Sequence, residues 1–499
     1  VDLVALHREL DTTSQAFFRM RPLGPDRTLI TSLEGRWAFL TDDELRRFAT
    51  GTVEPGSALE ARLKEGNFLR AFYDEAKARS MIAARKQFLR YGPNLHVFVV
   101  TLRCNETCVY CHASRADMDA VHTDMTKETA DKCVELVFQS TSPSVTIEFQ
   151  GGEPLVNFEV VKHIVERATQ KAAETGKVLE FTMVSNLALM DEEKLAYLLD
   201  HRVQICTSID GPKELHDKQR KLPQLSAFDA SAHWIRRINQ AYQERGLDPS
   251  LYHVEALLTT TRAALPRYKE IVDTYVDLGC RAIFLRPIDP FGFAGKTAGV
   301  VEYPRREYHE FYRNAVDYML ELNARGVQVL ERYAAIFLTK ILRGEDPNFL
   351  DIRSPAGAGV AMLAYGYDGS IYTCDEGRML AAQGDASFRI GHVDESRYRD
   401  IVGHPTVRAM VIASNLDAQP DCESCTYNPY CGVQTTHNHR TQGSIFGRMR
   451  ESSLCAVHKG IQDYLFGKLA DADPAVLATF ERWTINRARE HFLQAPARP

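Results

Sequence analysis

The chain has 499 residues, 44% hydrophobic and 25% charged, which allows several packed domains and excludes a wholly disordered protein. A formal net charge of -6 offers no broad basic footprint, so nucleic acid is not an expected partner. No run of about 18 apolar residues and no charged-then-apolar leader occurs, so neither a membrane span nor a secretory signal is indicated and a cytoplasmic location is expected.

Residues 1–94 predict a small α+β module: "FFRMRPLGPDRTLITSLEGRWAFLT" reads as strands joined by Gly/Pro turns, followed by helical "DDELRRFAT" and "SALEARLKEG". From residue 95 to about 300 a strand, loop and helix rhythm repeats six times. "HVFVVTL" (96–102), "SVTIEFQ" (144–150), "LEFTMVSN" (179–186), "QICTSID" (204–210), "HVEALLTT" (253–260) and "AIFLRPI" (282–288) are the strands. Amphipathic helices such as "FEVVKHIVERATQKA" and "AFDASAHWIRRINQAYQ" fall between them. This alternation predicts an α/β fold with parallel βαβ units, a partial (β/α)6 TIM-like barrel whose chemistry sits at the C-terminal strand ends. Two bridging helices follow over 301–350, a loop-rich cysteine region over 351–460, and a helical tail over 461–499.

The 11 cysteines suit metal ligation or catalysis better than a disulfide framework in such a chain. Cys104, Cys108 and Cys111 stand together in "TLRCNETCVYCHAS", just after the first strand. An iron-sulfur cluster normally takes four thiolates, so three leave one iron open for another ligand. Unrelated buried thiols or a zinc knuckle are the alternative. At the next strand ends, "QGGEP" offers Gly151, Gly152, Glu153 and Pro154, with glycines permitting close backbone approach and a carboxylate for an ammonium group. Ser185 and Asn186 end the third strand and Ser208 and Asp210 the fourth, short polar groups that could equally cap helices. Arg220 follows in "HDKQR", as an anion anchor or a solvated surface charge.

The CxxxCxxC spacing after a first strand resembles the radical S-adenosylmethionine (SAM) superfamily. The resemblance implies a SAM-binding 4Fe-4S cluster on Cys104, Cys108 and Cys111, whose open iron chelates SAM. It implies that reductive cleavage yields a 5'-deoxyadenosyl radical, which abstracts a substrate hydrogen. It assigns Glu153 to the methionyl amino group and Ser185, Asn186, Ser208, Asp210 and Arg220 to carboxylate and ribose groups. "DCESCTYNPYCG" with a later cysteine resembles the SPASM auxiliary-cluster domain, implying a second 4Fe-4S cluster on Cys422, Cys425, Cys431 and Cys455; a structural zinc site is the alternative. Thr435 stands where a full SPASM domain has a further cysteine, and no cysteine lies between Cys280 and Cys374. One auxiliary cluster is therefore expected, with Cys374 a free thiol. Asp375 aligns with a proton acceptor of sulfatase-maturating relatives, although a loop acid would fit the sequence as well. Cys133, Cys206 and Cys280 read as core thiols.

"FLRPIDPFGFA", "SPAGAG", "NPYCG" and "QGSIFGR" together resemble the radical SAM maturases of the His-Xaa-Ser system. This implies modification of a ribosomally made precursor peptide, with a crosslink or oxidised residue as product, and a flavodoxin- or ferredoxin-type electron donor. The N-terminal module would hold a leader peptide as an added strand, or else merely pack on the barrel. A sulfatase-type formylglycine-generating maturase is the competing enzyme, and a zinc scaffold without redox chemistry the competing class.

Overall fold

The computed structural model describes residues 9–485 and 490–494. The outer ends of the predicted N-terminal module (1–8) and helical tail (486–489 and 495–499) lie outside the described residues.

Three N-terminal strands, β1 (Phe18–Gly24), β2 (Arg27–Ser32) and β3 (Trp37–Leu40), form an antiparallel sheet in that order. Alternation gives the sheet two different faces. Ile30, Ala38 and Leu40 pack with Leu45, Phe48 and Leu63 of the module's own helices. Arg19, Arg21, Thr31 and Trp37 turn the other way: Arg21 pairs with Asp463 at 2.7 Å, Thr31 donates to the Thr426 carbonyl, and Trp37 Nε1 donates to the Ile341 carbonyl. The helix Asp42–Ala49 starts with a complete capping box between Thr41 and Glu44, the reason this short segment holds as a helix.

The six predicted strands form β4 (Leu95–Thr101), β5 (Ser144–Gly151), β6 (Val178–Val184), β7 (Gln204–Ser208), β8 (Glu255–Thr259) and β9 (Ala282–Arg286). They pair in sequential order, all parallel, and a short β10 (Leu330–Glu331) extends that edge. Parallel neighbours require helical crossovers, and helices such as Lys127–Val137, Phe158–Thr175 and Ala227–Glu244 supply them. On β5 and β6, Val145, Ile147, Phe149, Leu179, Phe181 and Met183 are buried in one core with Val161 and Ile164 of a crossover helix. The intervening Glu148, Gln150 and Thr182 are only partly buried. This face of the sheet is polar, so the strands alternate instead of reading as continuous apolar runs.

The 351–460 region is more ordered than expected. β11 (Met362–Tyr365) pairs in parallel with β4, and β12 (Ser370–Tyr372) and β13 (Arg389–His392) continue the sheet antiparallel. Among the described residues the full sheet has 11 strands, including Leu493–Gln494 against β6. These C-terminal strands have three or four residues each, too short for a period to show in sequence.

Candidate active site

The first cysteine set sits on the segment leaving β4, and that segment is tied at several points. Ala116 N donates to the Leu102 carbonyl and Cys104 N to the Ala116 carbonyl, closing the loop at its base. Arg103 Nε donates to Asp124 at 2.9 Å, and Thr101 Oγ1 to the same carboxylate at 2.6 Å. Further out, Thr107 and Cys108 pair with Lys221 and Arg220, and Phe293 N donates to the Cys111 carbonyl at 2.8 Å. Gly292, at φ +58, permits that last approach: a Cβ there would stand 2.3 Å from the Cys111 oxygen.

Gly151 and Gly152 also serve close packing, but between backbone segments. A Cβ on Gly151 would lie 2.1 Å from the Thr101 oxygen, and one on Gly152 2.3 Å from the Leu102 and Arg103 oxygens. The glycines therefore let the end of β5 press against the backbone leading into the cysteine loop. Glu153 N follows by donating to the Arg103 carbonyl. Pro154 then opens the short 3-10 turn Pro154–Asn157 and is buried.

Glu153 is 1% exposed. Its carboxylate accepts from Leu155 N at 3.0 Å, Ser185 Oγ at 2.8 Å and Asn186 N at 2.7 Å. Burial outweighs these three bonds and pushes the carboxyl up to about 7. Ser185 and Asn186 thus orient Glu153, and Asn186 Nδ2 also reaches Asn105 at 2.9 Å and Cys104 Sγ at 3.9 Å.

A second network joins β7 to the cysteines. Asp210, fully buried, accepts from Tyr110 Oη at 2.6 Å and from Arg220 Nε at 3.3 Å. Arg220 also stands 3.6 Å from Glu106 and 3.7 Å from Cys108 Sγ, so it is a largely buried ion-pair centre and not a solvated charge. Burial pushes the Cys108 thiol well up, opposed by the Arg220 guanidinium, and pushes Cys104 up to about 12. Ser208 ends β7 on the same partly open face as Cys206, which is therefore not a core thiol like Cys133 and Cys280. Tyr110 and Glu106 lie between the cysteines and were not singled out from sequence; their position inside the motif was the available signal.

Asp375 touches none of these groups directly. It is 8% exposed and accepts from Arg378 Nε at 2.8 Å, while Arg378 Nη1 donates to the Ala113 carbonyl of the cysteine loop at 2.9 Å. Arg378 is the strut between the helix Asp375–Ala381 and that loop. Cys374 packs with Val97, Val99 and Met362 in an apolar cluster. A cavity of about 60 Å3 lined by His112, Arg286, Asp289, Gln434 and His437 lies between residues neighbouring Cys111 and residues neighbouring Cys455. Asp289 is held below the usual carboxylate range by His437, 2.9 Å away, against the opposing effect of burial. Burial pushes the Asp351 and Glu376 carboxyls up.

The second cysteine set surrounds the start of the helix Ser453–Asp471. Cys422 is buried with Leu416, Val433 and Met449, and Cys431 and Cys455 pack on the same cluster. Ser452 caps the helix by accepting from Cys455 N. Each of Cys425, Cys431 and Cys455 contributes to raising the Cys422 thiol, after burial, so the four stand within electrostatic reach of one another. Among the described residues, no three His, Cys, Asp or Glu side chains converge as tightly as a single metal ion requires.

Residues 91–228 match a family described as a 4Fe-4S single cluster domain. The chain is 22% identical over 379 residues to the cysteine-type anaerobic sulfatase-maturating enzyme of Clostridium perfringens, covering 73% of this chain and 94% of that one. Native anSMEcpe with bound AdoMet and the Cp18Cys peptide superposes with a TM-score of 0.61 at 19% identity, over 76% of this chain and 99% of that one. The fold is that of the radical SAM enzymes. Streptococcus suis SuiB bound to precursor peptide SuiA shares it at a TM-score of 0.52 and 14% identity, over 87% of this chain and 98% of that one. The residues present fit the groups this fold implies: three thiols on one loop, within electrostatic reach of one another, for an iron-sulfur cluster, and in Glu153 a buried carboxylate that accepts from two backbone N–H groups and a hydroxyl for an ammonium group. Among the described residues, no helix is long and apolar enough to cross a membrane.

Proposed function

We propose that this protein is a radical SAM maturase that modifies a ribosomally made precursor peptide, forming an intramolecular crosslink or an oxidised residue. The observation that carries this reading is the meeting of the Cys104, Cys108 and Cys111 loop with Glu153, Ser185, Asn186, Asp210 and Arg220 at successive strand ends. Bound at that loop, a 4Fe-4S cluster and SAM would supply a 5'-deoxyadenosyl radical able to abstract a substrate hydrogen. Glu153, oriented by Ser185 and Asn186, holds an ammonium group; Arg220, held by Asp210 and Glu106, faces an anion beside Cys108. The Cys422, Cys425, Cys431 and Cys455 set holds the single auxiliary cluster, and a flavodoxin- or ferredoxin-type donor supplies electrons. The domains divide as residues 1–94, 95–300, 301–350, 351–460 and 461–499, with residues 1–94 offering a sheet edge to a leader. Peptides bound to anSMEcpe and SuiB support a peptide partner.

A second reading draws on the sulfatase-maturating relatives, matched over most of their length: oxidation of a Cys or Ser to formylglycine. Asp375 would serve either reaction by taking the proton released when a substrate radical is oxidised, with Arg378 fixing its carboxylate. Incubating the reduced protein with precursor and sulfatase peptides separates the two. A crosslink gives a precursor product lighter by two hydrogens that does not react with a hydrazide, whereas formylglycine is trapped by the hydrazide. A product from neither peptide overturns both readings.

A further inference from the structure

The strand Thr107–Cys108 comes to the protein surface, where Thr107 is exposed, and two other segments bind it there. The first is residues 213–226. Arg220 and Lys221 pair with Cys108 and Thr107, Gln219 accepts from Val109 N at 2.9 Å through its carbonyl, and the chain turns back between Leu222 and Leu225. The second is residues 293–302. Thr297 Oγ1 donates to the Val109 carbonyl at 2.7 Å, and Val109 packs with Ala294 and Val301. Each segment carries an apolar side chain out into solvent: Leu225 and Val300 are both 72% exposed, more than any other large apolar residue among those described. Two such side chains on segments bound to one cysteine strand suit contact with another molecule.

The charges on the same segments are mostly of one sign. Lys218, Lys221 and Lys296 are exposed and make no ion pair among the described residues. Arg262 adds a fourth cation, spent only on the Glu302 and Gly299 carbonyls at 2.7 and 3.1 Å. The acids are fewer and partly engaged. Glu214 stands 3.7 Å from Arg267, and Asp217 accepts from Ser226 Oγ and Phe228 N, which leaves Glu302 exposed and without an ion pair. Four cations around two projecting apolar groups form a surface complementary to an acidic protein.

We propose, on the maturase reading above, that this surface docks the acidic one-electron carrier protein that reduces the centre at Cys104, Cys108 and Cys111. Carboxylates of the carrier meet Lys218, Lys221, Lys296 and Arg262, while Leu225 and Val300 fill the apolar part of the contact. The carrier is oxidised by one electron and the cluster is reduced by that electron; no bond forms or breaks in the step. The docked carrier faces the strand that holds Cys108, so the electron has one strand to cross.

Binding of a flavodoxin to the full-length reconstituted protein, measured by calorimetry at low and high salt, tests this. Wild type should bind, and more weakly as salt rises. The double variant Lys218→Glu, Lys221→Glu should bind at least about tenfold more weakly and with less dependence on salt. Lys296→Glu, on the other segment, should also weaken binding and stands in if the double variant does not fold. Lys77→Glu, exposed on the N-terminal module, should bind as wild type does. Dithionite needs no docking surface and should give every variant the same reduced-cluster EPR signal. Equal flavodoxin affinity in wild type and the charge-reversed variants would overturn the docking surface and leave the maturase reading standing, as would a wild type that dithionite reduces but flavodoxin does not bind. A wild type with no dithionite-reducible cluster would overturn the maturase reading, and the docking surface with it.

Discussion

Glu153 concentrates the chemistry of the strand-end site in one side chain. Its three hydrogen bonds favour the charged form, yet burial wins and holds the carboxyl near 7. Because the folded protein binds this proton more tightly than the unfolded chain, free-protein stability falls as pH rises from the ordinary carboxyl range to about 7. A cationic ligand needs the ionised form, so AdoMet affinity should increase over the same range and level off above it. In Glu153→Gln, calorimetry should find affinity at least about tenfold lower and without this pH dependence, since the charge-assisted bond is gone. An unchanged pH profile would remove Glu153 from the amino contact. Asp375 makes a different prediction, since Arg378 already neutralises it and it lies outside the strand-end network. Asp375→Asn should leave 5'-deoxyadenosine formation near wild type while product formation slows about a hundredfold or more, the usual contribution of a general base. Full product yield would reduce Asp375 to a structural partner of Arg378. Both carboxylates stand out in the sequence by their motifs, and their roles rest on the variants above. The Tyr110–Asp210–Arg220–Glu106 network was not, because ion pairing across separate strand ends has no signature in local spacing.

At the scale of elements, the strand ends are positioned by backbone contact. Gly152 admits two carbonyl oxygens of the segment leading to the cysteines, so Gly152→Ala must move rigid backbone. We expect it to cost about 1–3 kcal/mol in chemical denaturation, the range for overpacking, and to lower iron retention at the first cysteine set. Gly467 supplies the contrast: it lies within the helix Ser453–Asp471 with nothing near its absent Cβ. Gly467→Ala should stabilise by about 0.5–1 kcal/mol, from helix propensity alone. Equal effects at the two positions would contradict the packing account. The six parallel strands could be read in advance because "SVTIEFQ" and "LEFTMVSN" alternate in step with their two faces. β11, β12 and β13 could not, since "MLAY" is a strand only through its pairing with distant β4. The sequence marks Gly151 and Gly152 as a place of close approach, and the backbone they admit comes from Thr101, Leu102 and Arg103, a distant segment that local spacing cannot show.

At the scale of the molecule, the N-terminal sheet and the second cysteine region meet in a cluster of aromatic rings around Phe466. Phe466 is fully buried and meets Trp37, Phe39, Tyr427 and Tyr430 with ring centroids 5.7, 6.3, 5.8 and 5.7 Å away. Phe466→Ala should cost about 3–5 kcal/mol, the range for a large buried aromatic. It should also expose the 1–94 segment to limited proteolysis, while a loss confined to the C-terminal helix would separate the two regions. Strand and helix alternation was enough to predict an α/β chain, and the proposal of two cysteine centres rests on spacing that is local. The docking of the N-terminal sheet was not visible, because it depends on which face of each short strand meets a helix over four hundred residues later. Iron, acid-labile sulfide and EPR should be measured on anaerobically reconstituted wild type and on the Cys104→Ala, Cys108→Ala, Cys111→Ala triple variant. Two 4Fe-4S clusters predict about eight irons per chain falling to about four in the variant, with one EPR signal lost. Zinc with little iron, or iron unchanged by the triple substitution, would contradict the account.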